Sequence, residues 1–182
     1  DNDSPGAKRA DAADFDGDGD IDIVSNSFDN EQVAVHFNDG TQAFAKTVID
    51  SSADGAYFVY AVDIDLDGDA DIVSATKDDN SISIYRNDGS GSFSKQVLTT
   101  NAIAARSVWA DDLDRDGDID VVSGSVDDDK VAWFENDGMG GFTERLVSTI
   151  DGAYGVSTID FDKDGDIDVL SGGRDSGTVQ VH

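Results

Sequence analysis

Twenty of the forty acidic residues in this 182-residue chain fall into four nine-residue runs that share one spacing, D-x-D-x-D-G-D-x-D. The runs are Asp14–Asp22, Asp63–Asp71, Asp112–Asp120 and Asp160–Asp168, offset by 49, 49 and 48 residues. Carboxylates at positions 1, 3 and 5 of such a run converge when the chain curls round a cation, and the glycine at position 6 permits the sharp turn. Position 7 then offers its main-chain carbonyl, and position 9 closes the shell with another carboxylate. The expected ligands are Asp14, Asp16, Asp18, Asp20 (main chain) and Asp22 in the first run, and Asp63, Asp65, Asp67, Asp69 and Asp71 in the second. The third run supplies Asp112, Asp114, Asp116, Asp118 and Asp120, and the fourth Asp160, Asp162, Asp164, Asp166 and Asp168. All-oxygen ligation argues against zinc and copper, and magnesium prefers fewer carboxylates and more retained water. The implied cofactor is Ca2+, about four ions. An EF-hand does not fit, because position 12 is Ser25, Ser74, Ser123 and Ser171 rather than a bidentate glutamate. Without a cation, each run holds like charges together at a cost that nothing offsets.

The elements that must carry these runs repeat with the same period. Asn38-Asp39-Gly40, Asn87-Asp88-Gly89 and Asn136-Asp137-Gly138 each follow a short apolar segment, and a phenylalanine follows each at Phe44, Phe93 and Phe142. Asn-Asp-Gly reads as a tight hairpin turn. In the first repeat, strands are predicted near Ala10–Ala13, over Ile21–Ser25 with Ile21 and Ile23 on one face and Asp22 on the other, over Val33–Phe37, and over Phe44–Ile49. Later copies give Ile82–Tyr85 and Val131–Phe134 as third strands, and Phe93–Leu98 and Phe142–Val147 as fourth strands. The hydrophobic period is two, with turn residues punctuating every strand. Four strands per 40–50 residues is the signature of a propeller blade. The expected fold is all-β: a β-propeller-type array of four-stranded antiparallel blades, with four repeats at about 8–50, 57–99, 106–148 and 154–182, the last incomplete, in one repeat domain over 1–182.

Composition narrows the partners. The formal net charge is −28, and hydrophobic residues make up 38%, enough for a packed core. A polyanion repels nucleic acid and anionic lipid, so neither nucleic-acid binding nor membrane insertion is expected. No apolar run approaches the ~18 residues of a membrane span. Cysteine is absent, which excludes disulfides and thiolate metal sites. The sequence opens Asp1-Asn2-Asp3-Ser4, so any secretory leader is expected to have been removed.

The loops together with the Asn-Asp-Gly…Phe segment resemble the FG-GAP/VCBS repeat of integrin α-subunit propellers and of many secreted bacterial and algal proteins. The resemblance covers about residues 8–182. It implies calcium in the hairpin between the first two strands of each blade, and an extracellular or cell-surface location. It also implies seven or eight blades, where this chain has four repeats. Val179-Gln180-Val181-His182 matches Val33-Ala34-Val35-His36, so the last repeat stops before its turn and fourth strand, and Asp1–Gly6 does not read as that strand. Such an edge invites self-association.

Catalysis is not expected. His36 and His182 fall at one strand position where Tyr85 and Phe134 stand in the other copies, and neither a nucleophile elbow nor a phosphate loop is present. Binding is the better reading. Six residues before each loop stand Lys8, Tyr57, Arg106 and Tyr154, with Phe58, Tyr60 and Trp109 nearby. These lie at the start of strand one, which lines the channel of a propeller, where aromatic and cationic groups suit sugars, including acidic ones. Channel lining or packing between blades would explain them equally well. Trp133 aligns with Val35 and Ile84 and is expected in the core. The acidic tips at Asp29-Asn30, Asp78-Asp79-Asn80, Asp127-Asp128-Asp129 and Asp175-Ser176 are either solvated or further cation sites. Three functions follow: an extracellular calcium-binding module that adheres to a glycan or an extracellular protein; a structural subunit of a surface layer or filament; or an accessory propeller of a polysaccharide-degrading enzyme.

Overall fold

The period-two segments pair with their sequence neighbours into four antiparallel meanders. A computed structural model describes residues 4–41 and 43–182. Asp1–Asp3, part of the N-terminal segment expected not to form a strand, lie outside the described residues. Blade one comprises β1 (Ala10–Ala13), β2 (Asp22–Ser27), β3 (Gln32–Asn38) and β4 (Phe44–Asp50). Blade two comprises β5 (Ala56–Val62), β6 (Asp71–Thr76), β7 (Ser81–Asn87) and β8 (Phe93–Thr99). Blade three comprises β9 (Ala105–Asp111), β10 (Asp120–Ser125), β11 (Lys130–Asn136) and β12 (Phe142–Thr149). Blade four holds three strands, β13 (Ala153–Ile159), β14 (Asp168–Gly173) and β15 (Thr178–Val181). No helix occurs among the described residues. The first strands β1, β5, β9 and β13 lie beside one another, each blade leaning on the next. The array is therefore of the propeller type and is not closed.

Stacking blades buries a central strand on both faces. All six residues of β6 are buried. Ile72 joins Val24, Val33 and Val35 between blades one and two, while Val73 joins Val108, Val121 and Phe134 between blades two and three. The seams are also tied by polar bonds. The Tyr85 hydroxyl donates to Asp50 Oδ2 (2.8 Å) and Lys95 Nζ lies 2.7 Å from the same oxygen. Burial opposes ionisation of Asp50, but the bonds from Lys95, Ser52 and Tyr85 outweigh it and hold the carboxyl below its usual value.

The expected alternation in β2 holds, with Ile21 and Ile23 on one face and Asp22 on the other, and the inward face is that of Asp22, Val24 and Asn26: Ile21 is 55% exposed while Asp22 is fully buried. The Ile21/Ile23 face belongs to blade one's outer side, which no described blade covers, and Asp22 is drawn in by hydrogen bonds. Trp133, expected in the core, is half-buried beside Leu146 and Val147, with the Arg145 guanidinium 5.6 Å from its ring centre. Val35 and Ile84 are covered by a complete next blade, whereas Trp133 faces the three-stranded blade four.

Candidate functional site

Each aspartate run bridges the first two strands of its blade, and its carboxylates first order the loop itself. The position-1 carboxylate accepts the N–H of the position-6 glycine in every copy, from Gly19 to Asp14 (3.0 Å), Gly68 to Asp63 (3.0 Å), Gly117 to Asp112 (3.1 Å) and Gly165 to Asp160 (3.1 Å). Position 5 accepts the N–H of position 7, as in Asp20 N–H to Asp18 (2.8 Å) and Asp166 N–H to Asp164 (2.8 Å), with Asp67 and Asp116 alike. The position-6 glycines have φ between 93° and 100°, and Gly19, Gly68 and Gly117 have open space around them, so backbone conformation, not crowding, demands glycine there. Position 4 is also left-handed, and only the first copy has a glycine for it, at Gly17; Leu66, Arg115 and Lys163 adopt φ of 59–63°.

This winding gathers carboxylates. Asp63, Asp65 and Asp71 bring ligand atoms within 4.8 Å of one another, as do Asp112, Asp114 and Asp120, and Asp160, Asp162 and Asp168. In the first loop the group is Asp14, Asp16 and Asp18. Position 5 therefore joins the group only in loop one, and position 9 in the other three. The position-7 side chains of Asp20, Asp69 and Asp118 turn away to the Asn-Asp-Gly turns, so close to Gly40, Gly89 and Gly138 that a Cβ there would clash.

Position 9 has a second role that the spacing does not reveal. Asp71 Oδ2 accepts the Ile64 N–H (3.0 Å) and Oδ1 the Asn87 N–H (2.7 Å), tying the loop to the end of the third strand. Asp22 bonds Phe15 and Asn38 likewise, and Asp120 bonds Leu113 and Asn136. Burial, partly offset by these bonds, pushes Asp71 and Asp120 up to about 6.

A hard cation fits this donor set on a direct structural ground. Asp112 Oδ1 and Asp160 Oδ1 are buried and have no hydrogen-bond partner. A buried carboxylate oxygen without a donor is costly, and it is relieved by an oxygen-seeking cation. Loop two differs: Arg86 Nη1 lies 2.9 Å from Asp65 Oδ2, so an internal guanidinium already holds one of its carboxylates. Arg115, from loop three, reaches Asp166 of loop four (2.7 Å).

At the opposite ends of the first strands, Lys8, Tyr57, Arg106 and Tyr154 meet. The Tyr154 and Tyr57 hydroxyls are 2.5 Å apart, and Arg106 lies over both rings, at 4.3 Å from the Tyr57 centre and 5.8 Å from that of Tyr154. Lys8 stands 5.2 Å over Phe28, whose ring meets Tyr57 edge-on, and Arg9 stands 4.6 Å over Phe58. Tyr60 and Trp109 stack at 4.6 Å. The hydrogen bond from Tyr154 draws the Tyr57 phenol below its usual value, helped by Arg106, and the same bond pushes Tyr154 up. The register explains the convergence. Pairing skips one residue at the start of β5, β9 and β13, and the skipped residues are Tyr57, Arg106 and Tyr154. Such a bulge re-aims one side chain out of the alternation. These groups border a cavity of 380 Å³.

The acidic tips mostly have structural partners. Asp79 accepts the Asp54 N–H (3.1 Å) and Asp128 the Ile103 N–H (3.3 Å), each fastening a tip to the linker that enters its own blade, while Asp129 accepts the Gly152 N–H (2.8 Å) in the linker to the next blade. His36 and His182 bond Ser25 (2.9 Å) and Ser171 (3.0 Å) through Nε2.

A family model described as FG-GAP-like repeat matches residues 14–74, 63–123 and 112–171, each match running from one aspartate loop through the next. No curated protein matches the chain. Among solved structures, the chain is similar to a lectin of Agrocybe aegerita described for specific recognition of non-reducing terminal N-acetylglucosamine. The two are 23% identical with a TM-score of 0.64, over 98% of this chain and 52% of the lectin. The chain thus spans about half the lectin's length, and at this identity the likeness is one of fold.

Proposed function

The chain belongs to the FG-GAP-like repeat family, and from that premise we propose that it is an extracellular or cell-surface binding module, stabilised by about four calcium ions, that takes a glycan at the Lys8/Tyr57/Arg106/Tyr154 cluster. The observation that carries the metal assignment is the pair of buried, donorless oxygens on Asp112 and Asp160 within aspartate groups that recur in all four loops. The ions are structural in this reading. The loops sit at one end of the first strands and the cluster at the other, so calcium braces the blades without touching the ligand. Extracellular calcium modules bind at ~10⁻⁴–10⁻³ M, so at roughly millimolar calcium each site contributes about 0.5–1.5 kcal/mol. Four divalent ions also offset eight of the 28 formal negative charges.

The glycan assignment rests on partly exposed aromatic rings beside cations, the chemistry that receives a sugar's apolar and polar faces together. The lectin likeness is consistent with it. The module binds and does not catalyse in this reading: both histidines are engaged by serines within their own blades. Calorimetric titration of the chelated protein tests the metal, with about four calcium ions expected and magnesium far weaker; no calcium uptake refutes it. A glycan array probed with calcium-loaded protein tests the ligand, and loss of signal in Tyr57→Ala and Tyr154→Ala locates it.

A second reading, self-association through the open end of the array, is favoured by Phe161, Val179 and Val181, which are 62%, 74% and 45% exposed there. Light scattering in calcium measures it, and a strict monomer removes it.

A further inference from the structure

The cations of the cluster differ from most others in the chain. Lys77, Arg86, Lys95, Arg115, Lys130, Arg145 and Arg174 each pair with a carboxylate. Among the described residues Lys8, Arg9 and Arg106 form no ion pair, a state shared by Lys163 on the tip of the fourth aspartate loop, although forty acidic residues are present to provide one. They lean on the faces of Phe28, Phe58 and Tyr57 instead. Arg106 Nε is buried with no hydrogen-bond partner, an N–H donor removed from water and left unsatisfied. A guanidinium without a carboxylate partner, beside stacked aromatics, is complementary to an oxyanion on a ring-shaped ligand.

Resting on the glycan reading of this site, we propose that its ligand is a saccharide unit carrying one anionic substituent, a uronate carboxylate or a sulfate ester, held by Arg106 and Lys8 with its ring against Trp109. The cavity of 380 Å³ lies at the small end of the ~300–1,000 Å³ typical of ligand pockets and suits one or two sugar rings. Charge sets the upper limit. The neighbouring tips carry Asp78, Asp79, Asp127 and Asp128, and the chain bears a formal −28, so a densely charged polyanion is repelled while one localised charge is accepted. An acidic protein segment is disfavoured for the same reason, because its successive carboxylates would meet those tips. The backbone supports the assignment too, since three of the four blades aim their bulge residue into this one place.

Calorimetric titration of the calcium-loaded protein with four short probes tests this: a trisaccharide carrying a single uronic acid, its neutral methyl ester, a trisaccharide carrying a single sulfate ester, and hexa-aspartate. The charged saccharides are expected to bind about tenfold or more tighter than the ester, and Arg106→Gln to erase that difference. Lys8→Gln, at an exposed position that the fold does not depend on, should reduce it several-fold, and an unchanged melting temperature checks each variant. Preference for the uronate or the sulfate trisaccharide identifies the oxyanion. Equal binding of the ester overturns the anionic assignment and leaves the glycan reading standing. Binding of hexa-aspartate as tight as that of the uronate overturns the saccharide in favour of an acidic protein segment. Binding of none of the four overturns the assignment and, if the glycan array is also blank, the glycan reading with it.

Discussion

The second residue of each aspartate loop makes a controlled comparison between the two complete seams and the third. Phe15 and Ile64 are fully buried, Leu113 is half-buried, and Phe161 is 62% exposed. The loops around them are nearly the same in sequence, so the difference comes from the neighbour. Phe93, from the fourth strand of blade two, packs edge-on against Phe15 at 5.8 Å, and Asn87 Nδ2 donates to the Phe15 carbonyl (2.7 Å). Phe142 of blade three packs into the cluster that buries Ile64. Leu113 packs on a cluster to which blade four contributes only Ala153, Val156 and Val169, from β13 and β14, and this cluster is the smallest of the three. A blade's loop is thus finished by the fourth strand and turn of the blade that follows, and the metal sites are parts of seams rather than of isolated hairpins.

Removing the ions should break this contrast most forcefully. Chelation should destabilise the protein by several kcal/mol in all, and hydrogen exchange should show β13–β15 losing protection before β5–β8. Uniform loss across the blades would mean that the seams do not grade the sites. Truncations sharpen it next. Ile64→Ala should cost ~3–4 kcal/mol of unfolding free energy and Leu113→Ala roughly half that, while Phe161→Ala should cost almost nothing; denaturant melts in calcium measure all three. Equal costs for Ile64 and Leu113 would remove the role of the covering strand.

Acidity tests the buried braces. Asp71 and Asp120 stand at about 6 in the folded chain against an ordinary 3.8. Between those values the calcium-free folded state keeps protons that the unfolded state has released, so stability should fall as pH rises from about 4 to 6 and level off above. Calcium should abolish that fall, because it stabilises the ionised carboxylates. Melting temperatures of chelated and calcium-loaded protein across this range check the sign. The smallest effect concerns loop two. Arg86→Gln releases Asp65 and should raise that site's calcium affinity by about fivefold, near 1 kcal/mol for a partly exposed pair, visible as one tighter step in the titration.

Much of the fold is legible in the sequence because the repeat multiplies every signal. The aspartate spacing, the Asn-Asp-Gly turns and the period-two segments each recur at 49 or 48 residues, and the strands fall within about two residues of their expected ends. What stays hidden depends on neighbours or on backbone conformation. The left-handed residue at position 4 is masked because Gly17, Leu66, Arg115 and Lys163 share no side-chain chemistry. Alternation puts Asp22 opposite Ile21 and Ile23, but it does not say which face is buried, and the two N–H partners of Asp22 are what hold it inside. Alignment of the repeats assigns Trp133 to the core, but alignment carries no information about which face of a blade is covered. Lys8, Tyr57, Arg106 and Tyr154 stand out by their departure from the repeat, but the bulges that gather three of them are set by register, which the residue types do not announce.

The meander order of every sheet has a consequence for how such a molecule changes over generations. Each strand hydrogen-bonds only to its immediate sequence neighbours, and each aspartate loop lies between two consecutive strands of one sheet. Duplication or deletion of one repeat-length segment therefore adds or removes a whole sheet together with its ion site, without severing a pairing elsewhere. Each added unit also lengthens the row of bulge positions by one, so gain of a repeat and gain of a new contact residue are the same genetic event.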